Sequence, residues 1–416
     1  MMCSIKKIVL LIGFLSSITV YGQEIMNLEQ ILAEINANNS SLKSYASRIQ
    51  SKDSKVEGAG SWMAPMVGAG TFMSPYPGQG MVGDSDRGAF MISAEQDIPN
   101  PAKVRAKKEY LKTQSQTYEL GRSERFNQLR ASAKYLYFGL LVAQKRIVFQ
   151  KENQQIMQTM KKLAEIRYPF NQGPLNQVFK AEGRVYESEN MILMTEAEIR
   201  SKKIALNALM NRPATAEFAI ETEYRVNFSP KADLDTAYLA GTRSDILHME
   251  HDIHAMEKNI DLMRQESKPE FKIRFDHMSN YSAMMPRQFT VMGMLSIPIA
   301  PWSSKMYKSE IKSMNFEREA MRQEKTAMLT EILGMSKSME NELLNMQKQL
   351  FNYETKILPS LEKYLKVSML SYQENKTDLN TVIDGWESIN MSQMNYLDQL
   401  QKYYQMIVDY EKNIER

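Results

Sequence analysis

Thioether sulfurs are this chain's largest store of soft donor atoms: it carries 32 methionines and a single cysteine. Soft sulfur ligands suit Cu(I) and Ag(I). Met91, Met278, Met292 and Met294 fall on the polar faces of short alternating segments, where thioethers could touch a passing soft cation. The same side chain is also an adaptable packing filler, and the methionines spaced along the long helical segments are read as core. His248 and His251 lie i, i+3 on a predicted helix, with His254, Met249 and Met256 near them. Two imidazoles at that spacing can share a metal. No third ligand stands with them, so a solvated helix face is the plainer reading. Catalytic patterns are not found. No histidine accompanies a Ser or Cys nucleophile motif, and Gly68 and Gly70 are not followed by the Lys-Ser/Thr of a phosphate loop. The sequence therefore predicts a non-enzyme with no cofactor.

The alternating segments must position those methionines. Strands are predicted over about 62–74, 88–98, 269–279 and 288–298. In the second, Phe90, Ile92 and Ala94 share one face, and Met91, Ser93, Glu95 and Asp97 the other. In the third, Phe271, Ile273 and Phe275 alternate with Lys272, Arg274 and Asp276. In the fourth, Phe289, Val291, Leu295 and Ile297 oppose Thr290, Met292, Met294 and Ser296. Strands of this length with one apolar and one polar face are what a membrane barrel wall requires, lipid on one side and water on the other. Four strands cannot close a barrel, and unpaired edges are not viable in lipid. The chain must therefore oligomerise if these strands span a membrane.

Long helices flank the strands. Residues 101–168 hold no Gly or Pro apart from Pro101, Gly121 and Gly139, and Leu136, Leu140, Ala143 and Ile147 keep the spacing of a packed seam. A later seam runs Met328, Ile332, Met335, Met339, Met346, Leu350, Tyr353 and Ile357, and Pro359 is predicted to kink or break that helix. Before the first strand, Leu28, Ile31, Leu32 and Ile35 mark a helical face. Asn38-Asn39-Ser40 interrupts it, with Ser40 placed to cap the next helix. Turns at 168–175 and 372–379 read as the tips of helical hairpins.

The pattern occurs twice, at an offset of roughly 200 residues, and such self-similarity decides architecture. Pro65 and Pro269 open strands, Ile98-Pro99 and Ile297-Pro298 close them, and Tyr168 and Tyr372 end long helices. The predicted organisation is a leader at 1–22, a first repeat at 23–225 with helices 101–168 and 174–211, and a second at 226–416 with helices 304–371 and 378–414. The link from 212 to 234 reads as irregular. The fold class is mainly α with a β-barrel part, built from a duplicated helix-strand-strand-long helix-helix unit.

Export is predicted at the start. Lys6 and Lys7 precede an apolar run from Ile8 to Ile18 and then Val20-Tyr21-Gly22, the layout of a secretory signal cut after Gly22. Cys3 would leave with it, so neither disulfides nor N-terminal lipidation is expected. The charges balance closely, with Lys+Arg 52 against Asp+Glu 49, and are interspersed. They give no electrostatic footprint for nucleic acid.

The sequence resembles the TolC family of outer-membrane efflux channels. The parts that carry the resemblance are Leu28-x-x-Ile31-Leu32 before Asn38-Asn39, Gln96-Asp97-Ile98-Pro99, the stretch Tyr137 to Glu152, Asn207-Ala208-Leu209-Met210-Asn211-Arg212-Pro213, and Tyr372 to Asp384. Their order, spacing and duplication carry it, over essentially the whole chain after the leader. The resemblance implies a homotrimer whose chains each give four strands to a 12-stranded barrel in outer-membrane lipid, above a helical periplasmic tunnel. It implies a periplasmic adaptor (a membrane fusion protein) and an inner-membrane RND-type pump as partners.

The resemblance also implies an acidic tunnel mouth. Asp384 falls at a matching position near the turn into the last helix. A second acidic position of some members is Thr381 here, and Asp378 lies one turn earlier. Three-fold symmetry would make a ring of each carboxylate and favour cations; Asp378 can equally serve as a helix cap. Met284-Met285-Pro286 through Pro301-Trp302-Ser303-Ser304-Lys305 is similar to channels paired with heavy-metal pumps, which favours copper or silver as cargo. Drugs or other small molecules are the alternative cargo, and a non-pore periplasmic coiled-coil adaptor is the alternative class.

Overall fold

The computed structural model describes residues 24–80, 83, 87–221, 227–298 and 300–415, and the leader expected at 1–22 lies outside them. The first elements are β1 (Glu24–Met26), α1 (Leu28–Asn38) and α2 (Ser40–Gly58). The Asn27 side chain accepts from the Gln30 N–H at 2.8 Å while the Gln30 side chain accepts from the Asn27 N–H at 2.9 Å. Two otherwise orphaned donors are thus satisfied reciprocally. The cap of α2 is Asn39 rather than Ser40: its Oδ1 accepts from the Ser41 N–H at 3.0 Å. The capping residue needs extended backbone, which Asn39 has (ψ 122°), whereas Ser40 is already helical.

The strands follow the predicted alternation with shorter bounds. β2 (Met66–Phe72) begins after Pro65 rather than at 62, because proline brings no N–H to a ladder. It ends at Phe72, just before Met73, whose φ is 51°. β3 (Ala89–Ile98) leads into α3 (Pro101–Arg167), a helix of 67 residues, or about 100 Å at 1.5 Å per residue. A 3-10 turn at Tyr168–Phe170 precedes α4 (Leu175–Met210). Asn171 and Asn211 stop these segments at φ 61° and 60°, a left-handed conformation asparagine tolerates well.

The link is not wholly irregular. β4 (Phe218–Ile220) pairs in parallel with β1, Glu24 opposite Phe218. A three-residue strand is too short to show alternation, so only its distant partner reveals it. Then come α5 (Thr236–Thr242), α6 (Ser244–Glu266), β5 (Phe271–Asn280) and β6 (Gln288–Leu295). β6 stops before Ile297, which leaves the ladder ahead of Pro298.

The last helices are α7 (Pro301–Asn352), a π-helical turn at Tyr353–Ile357, α8 (Leu358–Gln373) and α9 (Leu379–Ile414). Pro359 does not break the helix. The π turn just before it takes up an extra residue, which lets the backbone pass the position where proline offers no N–H. The seam of α7 also differs from the expected one. Ile332, Ser336, Leu343, Met346 and Leu350 are buried, and Met335 is exposed. The 4-3 spacing from Ile332 lands on Ser336, and Met335 sits about 100° away.

The main sheet has the order β2-β3-β5-β6, antiparallel throughout. Its central pair joins distant parts of the chain, from Ala89 opposite Asn280 to Ile98 opposite Phe271. Nearest the sheet, α3 packs between α2 and α6, and α6 packs on α7. Toward the hairpin turns, α3 packs between α4 and α9, and α9 packs on α8. The core divides likewise. One cluster surrounds Tyr137, Leu140 and Val142, and a second, nearer the turns, holds Met157, Met160, Val178, Ile383 and Trp386.

Candidate channel-lining face and tunnel mouth

Directly opposed residues in a pleated sheet point to the same face. The register therefore sorts the side chains into two surfaces. One row runs Gly70, Met91, Met278, Gln288; the next Gly68, Ser93, Asp276, Thr290; the next Met66, Glu95, Arg274, Met292; and the last has Asp97, Lys272, Met294. This face holds Met91, Met278, Met292 and Met294, and Met66 of β2 with them. Met91 stands directly opposite Met278, whereas Met292 and Met294 stand opposite the cations Arg274 and Lys272. The cations are tied to carboxylates. Lys272 Nζ lies 3.2 Å from Glu95 and 2.9 Å from Asp97, and Arg274 Nε lies 2.9 Å from the buried Asp276. Alternation of charge across neighbouring strands explains the choice of residues, since like charges opposed would repel.

The reverse face carries Val67, Ile92, Phe271, Ile273, Phe275, Phe289, Val291 and Leu295. It is bare: Phe289 is 70% exposed and Val291 61%. Phe275 and Phe289 stack at 6.1 Å between centroids. An apolar sheet face of this extent needs an apolar covering. Among the described residues, the outward edges of β2 and β6 pair with nothing.

At the far end, Asp378 caps α9. Its Oδ1 accepts from the Thr381 N–H at 3.0 Å and from the Thr381 hydroxyl at 3.1 Å. Donation by the Thr381 N–H holds its carboxyl below the usual aspartate value. Asp384, two turns further along, is exposed and carries no cap role. Several contacts around these residues were not legible in the sequence. Arg167, buried at the end of α3, donates to the Gln373 carbonyl at 3.1 Å and lies 4.1 Å from the centre of the Tyr372 ring. Lys180 donates to Asn380 at 3.2 Å, and Arg184 pairs with Glu387. Trp386 Nε1 donates to the Asn153 carbonyl at 3.1 Å, and the Asn153 amide donates to Gln393 at 2.6 Å. A helix-terminal arginine beside a turn was the available signal, but its partner lies 206 positions away.

His248, His251 and His254 sit elsewhere, on α6. His248 Nδ1 is 3.0 Å from Glu124 Oε2, and its Nε2 is 3.8 Å from Asp252 Oδ2. His248 and Asp252 border a cavity of about 520 Å³ lined also by Tyr45, Arg48, Lys52 and Tyr118. Burial raises the Asp252 carboxyl above its ordinary value. His251, next to Asp252 in sequence, has its Nδ1 buried without a hydrogen-bond partner. Among the described residues no group of three or more His, Cys, Asp or Glu is arranged to hold a metal.

No protein-family model matches this sequence, and no curated protein sequence does. Solved structures match over nearly all of its length. The outer-membrane channel OprN superposes with a TM-score of 0.76 at 14% identity, covering 93% of this chain and 89% of that one. CusC, a protein that forms a transmembrane channel, gives 0.75 at 14% identity over 93% and 91%. The outer membrane protein VceC of Vibrio cholerae gives 0.73 at 15% identity over 93% and 95%. The four-stranded sheet on long antiparallel helices is thus the fold of the TolC-like outer-membrane channels.

Proposed function

We propose that the chain is the outer-membrane exit duct of a tripartite efflux system. The observation that carries this reading is the sheet: one face apolar and bare, the other lined by charges and methionines, both edges open, and the whole standing on helices of about 100 Å. Lipid covers the apolar face, water fills the other side, and strands from sister copies close the edges, since open edges are not tolerated in lipid. In this reading three copies form a 12-stranded barrel, the two repeats at 23–225 and 226–416 give each copy its pseudo-symmetry, and the helices continue the conduit through the periplasm. Transport is passive. An inner-membrane pump supplies the energy, and a periplasmic adaptor joins pump to duct. That OprN and CusC are described as channels supports the reading.

The cargo in this reading is copper or silver. The opposed thioethers of Met91 and Met278 offer soft, weak contacts to a cation without holding it, and the carboxylates of Asp384 and Asp378 ring the tunnel mouth in a three-fold assembly. His248 and His251 are assigned no step in this passage. Two measurements test the proposal. Outer-membrane extracts in mild detergent should yield a band that migrates differently before and after heating; a protein that stays soluble and monomeric without detergent would overturn the duct. Deleting the gene should lower copper and silver tolerance; unchanged metal tolerance alongside lost drug tolerance would overturn the metal cargo and leave the duct.

A further inference from the structure

Helices α4 and α9 both pack on α3 and leave a groove between them, which holds a cavity of about 500 Å³. Trp386 closes it toward α3: the ring is buried and donates through Nε1 to the Asn153 carbonyl at 3.1 Å. Asn153 stands about 80 Å along α3 from Pro101, at 1.5 Å per residue. This cavity is therefore remote from the methionines of the sheet.

The internal repeat builds the two walls from the same residue types. Glu187, Asn190 and Met191 come from α4, and Glu387, Asn390 and Met391 from α9. Members of each pair are two hundred positions apart. Both helices start at a tip turn and run in the same direction. Lys180 donates to Asn380 at 3.2 Å, which brings level the positions that share this offset. Met191 and Met391 each come three turns further on. Two thioethers thus line one cavity at one height, from opposite walls.

Core packing does not account for them. At this level the buried side of α4 is Val185, Ser188, Ile192 and Thr195, and that of α9 is Trp386, Ile389 and Gln393. Met191 is half-buried and Met391 is 65% exposed. The charges toward the tip favour a cation of low valence. Arg184 Nη1 lies 2.6 Å from Glu187, and the same guanidinium pairs with Glu387. One cation between two carboxylates leaves a single negative charge. The Asn390 side-chain carbonyl accepts from the Asn153 amide at 3.3 Å, which fixes the α9 wall beside Met391. Hard divalent ions need several free oxygens, and here both carboxylates are engaged by Arg184. Thioethers select soft monovalent ions instead.

We infer that Met191 and Met391 form a two-thioether site for a soft monovalent cation, Cu(I) or Ag(I), in the groove between α4 and α9. The cavity is far larger than a bare ion, so the ion keeps part of its water and is held weakly. The inference rests on the soft-metal cargo reading and adds a second stopping place for the ion, on the helices rather than the sheet.

Trp386 gives the test a local reporter. Of the three tryptophans, Trp62 and Trp302 are exposed, and Trp62→Phe with Trp302→Phe leaves Trp386 alone. The full-length oligomer in detergent is titrated with silver nitrate in chloride-free buffer, and Trp386 fluorescence is followed. Because the ring is shielded from solvent, an ion in bulk quenches it little, whereas an ion in the cavity quenches it saturably. Saturable quenching by Ag(I), and none by Mg(II), is expected. Met191→Leu with Met391→Leu should raise the half-saturating Ag(I) concentration by more than about tenfold, since loss of supporting groups alone costs that much at metal sites. Met391→Leu alone replaces an exposed side chain, leaves assembly intact and should weaken quenching in the same direction. Absence of saturable quenching, or quenching unaltered in the double variant, would overturn the site and leave the cargo reading standing. Methionine-dependent quenching beside unchanged silver tolerance on gene deletion would uphold the site and overturn the cargo.

Discussion

The Arg167 guanidinium lies over the Tyr372 ring at 4.1 Å and donates to the neighbouring Gln373 carbonyl. These residues come from the ends of α3 and α8, so one side chain ties together the tips of the two helical hairpins. A cation–π contact desolvated in this way contributes about 2 kcal/mol, and a hydrogen bond from a charged donor about as much.

Arg167→Ala should therefore lower stability by roughly 2–4 kcal/mol and open the tips to attack. Limited proteolysis at the turn Glu374–Thr377, followed beside denaturant unfolding of the purified oligomer, reads both effects. Arg167→Lys should recover only part of the loss, because an ammonium lacks the planar guanidinium that stacks on the ring. Unaltered cleavage in the alanine variant would show that the tips are held by other contacts.

Asp378 predicts an acid limb for the α9 cap. Its folded-state value is depressed by the Thr381 N–H, so its contribution is fully present above the ordinary aspartate value of about 3.9. That contribution is lost as pH falls through the lower folded value. Asp378→Ala should cost about 1 kcal/mol at neutral pH, and Asp378→Asn much less, since asparagine caps comparably. Unfolding of these variants between pH 7 and pH 3 measures the difference, and the alanine variant should lose the acid dependence assigned to this cap.

Asp384 is exposed and caps nothing. Asp384→Asn should leave stability within about 0.5 kcal/mol while reducing the preference for cations in planar-bilayer reversal potentials. A variant with unchanged selectivity would remove Asp384 from the mouth.

The two sheet faces should respond oppositely to charge. Val291→Arg places a cation on the apolar face and should cost about 2–4 kcal/mol if that residue lies near mid-bilayer. Thr290→Arg, one residue earlier on the face bearing Asp276, should be tolerated. The yield of heat-modifiable oligomer in outer-membrane extracts separates them, and equal yields would contradict the facing assigned here.

The methionine pair can be tested without altering packing greatly. Met91→Leu with Met278→Leu conserves volume, a change that usually costs under about 1.5 kcal/mol, while removing both sulfurs. Oligomer yield should persist and silver tolerance should fall. Silver tolerance equal to the unsubstituted protein's would assign the pair to packing.

Local order by itself determined much of this protein. Phe271, Ile273 and Phe275 alternating with Lys272, Arg274 and Asp276 specify a strand and its two faces, because side chains in a strand point to opposite sides at every step. The long run after Pro101 specifies a helix of that length because nothing in it interrupts the ladder. The hairpin tips are written in the turns at 168–175 and 372–379. Tertiary structure alone decided what meets across the chain. It set Met91 opposite Met278, seated Arg167 on Tyr372, paired three-residue β1 with β4, and put Ser336 rather than Met335 in the seam of α7. These depend on register and on packing against elements hundreds of residues away, and side-chain periodicity along one segment carries no record of its partner's height.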